Sequence, residues 1–155
     1  MKTGYTERSG RTLISCAKRD GQCLIAVTLD APNDWVDHIA MLDYGFATYH
    51  NAELIQQGAV VARVPAKGSL ISFSEVVAQQ TVRYPLTDEE QIREEVYLLQ
   101  PLDAPIQKGA TAGTITYYLG DKVVGISSLV HKHSISRSIH TPTGILQKLF
   151  HRLFH

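Results

Sequence analysis

The sequence has no excess of either charge: 15 Lys and Arg stand against 15 Asp and Glu over 155 residues, with a pI near 7.1. Nucleic-acid binding leaves a basic patch and a high pI, so the balance argues against that class of partner. Long apolar runs are absent as well. Hydrophobic residues make up 44%, a globular content, yet no stretch approaches the ~20 apolar residues a membrane span requires. Cysteine is scarce, with only Cys16 and Cys23, and the two flank an Asp20-Gly21 turn. A two-residue loop there sets Lys18 opposite Cys23 and leaves Cys16 on the diagonal. Diagonal neighbours lie about 7–8 Å apart, beyond the ~4.4–6.8 Å of most disulfides. Two unbridged, buried small hydrophobes are therefore expected. Metal ligand sets are incomplete too. His131 and His133 would share a strand face, and His151 and His155 a helix face. Neither pair has a Cys or carboxylate to finish a site, so no metal and no cofactor is expected.

The chain punctuates itself clearly. Arg11–Lys18 and Gln22–Leu29 read as the arms of a hairpin closed by Asp20-Gly21. Both arms are apolar on both faces, which predicts strands inside a sheet covered on each side. Asn33 or Asp34 then caps a helix. Trp35, Ile39 and Leu42 at i, i+4 and i+7 form its core-facing stripe, and Gly45 stops it. Asp37 and His38 fall off that stripe and read as a solvated local pair. From about Thr48 to Val130, short apolar runs recur every 8–12 residues between turn signals, the pattern of a small β-sandwich or barrel. Gly120-Asp121 marks another two-residue hairpin. One segment conflicts with itself. Thr87-Asp88-Glu89-Glu90 has the form of a capping box, and Ile92, Val96 and Leu99 are helically spaced. The same residues alternate as Ile92-x-Glu94-x-Val96-x-Leu98, so helix and strand both remain open for residues 88–99.

The tail is amphipathic. Pro142 suits a first helical turn after Thr141. Ile145, Leu146, Leu149, Phe150, Leu153 and Phe154 fall on one half of a helical wheel. Gln147, Lys148, His151, Arg152 and His155 fall on the other. Such a helix is about 21 Å long at 1.5 Å per residue, short of the ~30 Å hydrocarbon core. It can lie on a membrane without crossing it; the blander reading docks it on the β-rich domain.

The most informative stretch comes first. Lys2-Thr3-Gly4-Tyr5 alone is a weak motif, equally readable as a solvated Lys at a frayed end. The order of the residues downstream gives it weight: Gly10 after a short loop, the Asp20-Gly21 hairpin, Ala31-Pro32-Asn33-Asp34-Trp35, Asp37-His38, and Asp43-Tyr44-Gly45-Phe46. Residues 2–46 thus resemble the last part of the catalytic domain of serine-type D-alanyl-D-alanine carboxypeptidases, the low-molecular-weight penicillin-binding proteins. Leu102-Asp103-Ala104-Pro105-Ile106-Gln107-Lys108-Gly109 resembles a pattern of their C-terminal domain, and the family ends in an amphipathic anchor. The resemblance favours strand for residues 88–99.

The resemblance implies a site. Such enzymes use Ser-x-x-Lys, Ser-x-Asn and Lys-Thr-Gly. Lys2 and the bare Gly4 share one strand face, and Gly4 admits close substrate backbone. Lys2 and the Thr3 hydroxyl would bind the substrate carboxylate, and the Tyr5 N–H would help form the oxyanion hole. The nucleophile is lacking. Ser15-Cys16-Ala17-Lys18 fits the pattern but lies on a hairpin arm, where residues three apart face opposite ways. No Ser-x-Asn occurs. With no leader before Lys2, Met1 is expected to stand at an interior position of a longer protein.

The expected fold is mainly β with two helices. Residues 1–47 are the remnant of the peptidase domain, 48–131 a β-rich domain, and 132–155 a linker and membrane-anchor helix. The expected function is part of a carboxypeptidase trimming D-Ala from peptidoglycan stem peptides at the extracytoplasmic face of the bacterial membrane, inactive alone. The rival is a non-enzymatic envelope module, a β-domain held at the membrane by its tail.

Overall fold

The computed structural model describes residues 1–99 and 102–138. The tail with its expected second helix lies outside the described residues. The chain opens with β1 (Lys2–Thr6), β2 (Gly10–Arg19) and β3 (Gln22–Leu29), followed by α1 (Asp34–Thr48). The three strands form an antiparallel sheet in the order β1-β2-β3. Asp20 and Gly21 both take positive φ, 49° and 80°, the primed turn that matches strand twist. It sets Arg19 opposite Gln22 and Lys18 opposite Cys23, the register expected from sequence.

Three expectations for this part need correction. First, Cys16 faces Ile25 and is diagonal to Cys23, yet the two sulfurs lie 2.9 Å apart. Both thiols are free and exposed rather than buried. Diagonal register separates backbones; Cβ–Sγ bonds that lean together close the gap. Second, only one face of the sheet is covered among the described residues. α1 packs on the side of Leu13 and Ala26, while Ile14, Ile25, Val27 and Leu29 stand exposed on the other. Third, α1 presents a different side. His38 is 3% exposed and Asp34 is also buried, whereas Trp35 and Ile39 are 46% and 62% exposed. The helix also runs through Gly45 to Thr48. Gly45 faces the sheet, where an added Cβ would stand 2.6 Å from Leu24 Cδ1. It is there for close helix–strand approach, not to end the helix.

The remaining strands are β4 (His50–Ile55), β5 (Val60–Lys67), β6 (Phe73–Ala78), β7 (Val82–Leu86), β8 (Ile92–Leu98), β9 (Leu102–Asp103), β10 (Thr111–Leu119) and β11 (Lys122–His131). Six form a sheet ordered β8-β10-β11-β6-β5-β9, and β4 pairs with β7. Val82 of β7 joins Val64, Val76, Ala78, Ala112, Ile115, Tyr117 and Leu129 in one core, with Leu54 and Ile55 of β4 packed against it. The small sheet therefore covers one face of the large one. Gly120-Asp121 turns β10 into β11 with Leu119 opposite Lys122. The open segment resolves as strand β8, whose alternation wins because β10 pairs along its whole length. The capping-box residues form only a turn: Thr87 N donates to Glu90 Oε2 at 2.9 Å, and Glu90 N donates to the Thr87 carbonyl.

His131 closes β11, 1% exposed, with Nδ1 2.7 Å from the buried Ser74 hydroxyl. His133 lies beyond the strand end and is exposed, so the two do not share a strand face. Burial pushes the His131 pKa below its usual 6.5. The unfolded chain then binds this proton more readily than the folded one, so stability falls as pH drops through 6.5. Glu75, held low first by the hydrogen bond from Lys132, adds its loss only at lower, carboxylate-range pH. The denaturant midpoint is expected to be lower at about pH 5.5 than at about pH 7.5. His131→Leu should flatten that dependence while leaving the Ser74 hydroxyl without its partner, at about 1–3 kcal/mol. A midpoint that rises on acidification contradicts this account.

Candidate substrate-binding edge

β1 is built by its pairing. Lys2 to Thr6 run against Ile14 to Gly10 of β2, and the other edge of β1 carries no strand among the described residues. Residues directly opposite share a face. Lys2 and Gly4, opposite Ile14 and Thr12, therefore lie on the face away from α1. Thr3 and Tyr5 lie on the other, opposite Leu13 and Arg11. Gly4 is bare for a local reason too. A Cβ there would stand 2.8 Å from Thr12 Oγ1, whose hydroxyl donates to the Gly4 carbonyl at 3.2 Å.

Thr3, Gly4, Tyr5 and Arg11 line a cleft of about 480 Å³. Lys2 is not among the lining residues; its ammonium donates to the Thr3 carbonyl at 3.1 Å. Arg11 is the residue that motif reasoning missed. Its Nε donates to Asp34 Oδ2 at 2.6 Å, and that carboxylate is almost fully buried. The pair ties the strand to the first turn of α1 and fixes a cation beside Tyr5. The hairpin register, which sets Arg11 against Tyr5, was the available signal. The site residues expected from sequence thus sit on one strand, three of them in one cleft. An open edge with a small central residue and a nearby cation can take an extended, anionic peptide as an added strand.

The rejected Ser-x-x-Lys falls out by geometry. Ser15 points at the helix and Lys18 at the opposite face of β2. Ser15 Oγ lies 2.6 Å from His38 Nδ1, and Thr28 Oγ1 lies 3.0 Å from Nε2. A Ser–His pair is the start of a nucleophilic constellation. Here the ring is sealed between helix and sheet, with a threonine where an orienting carboxylate would stand. The three residues form a polar bridge that holds α1 down. No group of three His, Cys, Asp or Glu stands together among the described residues.

Residues 49–137 match the family model of the penicillin-binding protein 5 C-terminal domain. That match covers more than half of the sequence. The chain belongs to this family. It is similar to the D-alanyl-D-alanine carboxypeptidase DacF of Bacillus subtilis (strain 168), 28% identical over 145 residues. The alignment covers 89% of this chain and 37% of the relative, so the chain spans little more than a third of that protein. Penicillin-binding protein 5 from Haemophilus influenzae has the same fold, with a TM-score of 0.65 and 22% identity over 88% of this chain and 42% of that one. The D-alanyl-D-alanine carboxypeptidase DacD from Francisella tularensis gives 0.60 and 24% over 89% and 36%. A peptidoglycan synthesis regulatory factor (PBP3) from Streptococcus pneumoniae gives 0.66 and 18% over 88% and 42%. These likenesses support a C-terminal portion of a carboxypeptidase, mainly β with one helix among the described residues.

The His38 bridge makes a testable contrast. His38→Ala leaves the Ser15 and Thr28 hydroxyls unpartnered under the helix and should cost about 1–3 kcal/mol in equilibrium unfolding. Asp37→Ala, one residue away, should stay within about 0.5 kcal/mol. The reverse order would return His38 to the solvated face expected from sequence.

Proposed function

We propose that the chain is the C-terminal part of a serine-type D-alanyl-D-alanine carboxypeptidase that removes the terminal D-alanine from peptidoglycan stem peptides through an acyl-enzyme. The observation that carries the reading is the Lys2-Thr3-Gly4 strand on an open edge, beside a cleft, in a chain of this family. In this reading Lys2, Thr3 and Gly4 bind the stem-peptide carboxylate, and the Tyr5 N–H contributes to the oxyanion hole. The serine nucleophile and its lysine base lie outside this sequence. Two uncovered apolar surfaces support the same reading: the outer face of β2–β3 and the Trp35/Ile39 side of α1 are where further peptidase-domain chain would pack. Lys2 would have to release the Thr3 carbonyl to meet substrate, a small rearrangement of an exposed side chain.

The chain alone is then inactive. Incubation with a labelled penicillin should give no covalent adduct by mass spectrometry, and D-Ala-D-Ala peptides should release no D-alanine. An adduct on Ser15 would turn the Ser15–His38 pair into a working nucleophile and overturn the assignment.

The tail completes the proposal by holding the protein at the extracytoplasmic face of the bacterial membrane. Its six large apolar residues, Ile145, Leu146, Leu149, Phe150, Leu153 and Phe154, each offer about 1.5–3 kcal/mol if fully buried. Partial insertion leaves much less, so binding is reversible. Lys148 and Arg152 add about 1 kcal/mol each on an anionic surface. Leu149→Asp with Phe150→Asp should abolish vesicle binding with an unchanged circular dichroism spectrum. A double mutant that unfolds, beside a wild type that ignores vesicles, would place the tail on the β-domain instead. The family match itself, confined to residues 49–137, favours a second reading beside the first: an envelope module whose β-domain holds a partner at the membrane without chemistry of its own.

A further inference from the structure

The turn from β5 to β6 carries large apolar side chains into solvent. Leu70 is 92% exposed, Ile71 52%, and Phe73 at the start of β6 57%. Single exposed apolar residues are ordinary; three on one tip mark a contact surface. Beside the tip lies a cavity of about 280 Å³, lined by Arg137 and four serines with Leu70 and Ile71 at its rim. The Ser69 and Ser134 hydroxyls accept from the Ile71 and Lys108 backbone N–H groups, and each keeps an O–H that can donate to a ligand. No carboxylate pairs with Arg137 among the described residues, and residues 139–155 contain no Asp or Glu. Lys67, at the foot of the turn, brings a second cation, with Asp103 opposite it in register. The last described residue is here too: Ser138 N donates to the Gly68 carbonyl at 2.7 Å, so the residue that precedes the tail sequence stands at the base of this tip.

We propose that residues 68–73 and the Arg137 cavity form a second membrane contact that binds an anionic phospholipid. It rests on the membrane-surface reading of the tail. Leu70 and Ile71 enter the boundary between headgroups and acyl chains. Arg137 and the serine hydroxyls take the lipid phosphate, the guanidinium supplying two parallel donors. A tip that inserts beside the tail fixes how the β-domain stands on the membrane, which one helix on a linker does not. The apolar rim distinguishes this site from one for free phosphate, and the phosphate-binding cavity distinguishes it from a purely apolar protein interface.

The test uses the full chain. Trp35→Phe removes the single tryptophan, and Leu70→Trp places a reporter on the tip. With vesicles of phosphatidylcholine and phosphatidylglycerol, the indole should shift to the blue and be quenched by brominated acyl chains. Arg137→Gln should weaken partitioning about five-fold, the loss of one cation at an anionic surface. In the native background, Leu70→Asp with Ile71→Asp should weaken it at least about ten-fold with an unchanged circular dichroism spectrum. A chain that binds vesicles with an unquenched indole at position 70 and no effect of Arg137→Gln overturns this inference and leaves the tail reading standing. Protection of the indole by a protein partner, but not by vesicles, overturns it as well. A chain that ignores vesicles altogether removes the tail reading and this inference with it.

Discussion

The C-terminal unit depends on one pairing, β10 with β11. β10 sits between β8 and β11, and β11 passes the sheet on to β6. The inward residues of this hairpin, Ile115, Tyr117 and Leu129, meet Val64, Val76 and Val82 from three other strands. Each fully buried aliphatic side chain is worth about 1.5–3 kcal/mol, against a net stability for such domains of only ~5–15 kcal/mol. Losing one is a large share of the whole. The register is what keeps them inside, because a slip of one residue turns every side chain to the other face. The Gly120-Asp121 turn sets that register, and bulges at Thr111/Gly113 and Tyr117/Tyr118 adjust it along the way.

The N-terminal unit is held differently. Its helix and sheet meet through polar groups: His38 between Ser15 and Thr28, and Asp34 with Arg11. A buried imidazole with a partner on each nitrogen escapes most of the cost of leaving water. Helix α1 can therefore turn a histidine to the sheet and leave its Trp35/Ile39 stripe outward. The arrangement makes little sense for an isolated hairpin and helix. It makes sense where the stripe has somewhere else to go, and the relatives, of which this chain covers 36–42%, have chain to supply it.

That difference explains what could be read from the residues. The hairpins were legible at Asp20-Gly21 and Gly120-Asp121, because turn chemistry acts within four residues. The β-rich character of residues 50–131 was legible from run length and spacing. The face of α1 was not. Helical periodicity locates an apolar stripe but does not say which of two layers it meets, and here the nearer layer is bridged by a histidine. The contact between Cys16 and Cys23 was missed because register constrains Cα positions and leaves side-chain lean free. The Lys2–Tyr5 strand was legible as a motif. Arg11 was not, because it enters the cleft through a cross-strand neighbour and a buried carboxylate, neither of which a tripeptide encodes.

Sheet edges carry the last step. Unpaired edges invite further strands, and proteins defend those they do not use. The large sheet is defended at both ends. β8 carries Arg93, Glu94 and Glu95, and β9 is only two residues long. The three-stranded sheet of β1, β2 and β3 is not, among the described residues. β3 ends it with the uncharged run Gln22–Leu29, and β1 ends it with Thr3, Gly4 and Tyr5 behind a single Lys2. Within one molecule, the same backbone hazard is blocked in one sheet and left open in the other. An open β3 edge, next to an uncovered apolar face, suits a further strand of the same domain. An open β1 edge, with a bare glycine at its centre and Arg11 alongside, suits a short extended peptide that binds and leaves. The asymmetry leaves backbone pairing groups available at the edges of the first 29 residues and blocks them in the six-stranded sheet, whatever the motif on β1.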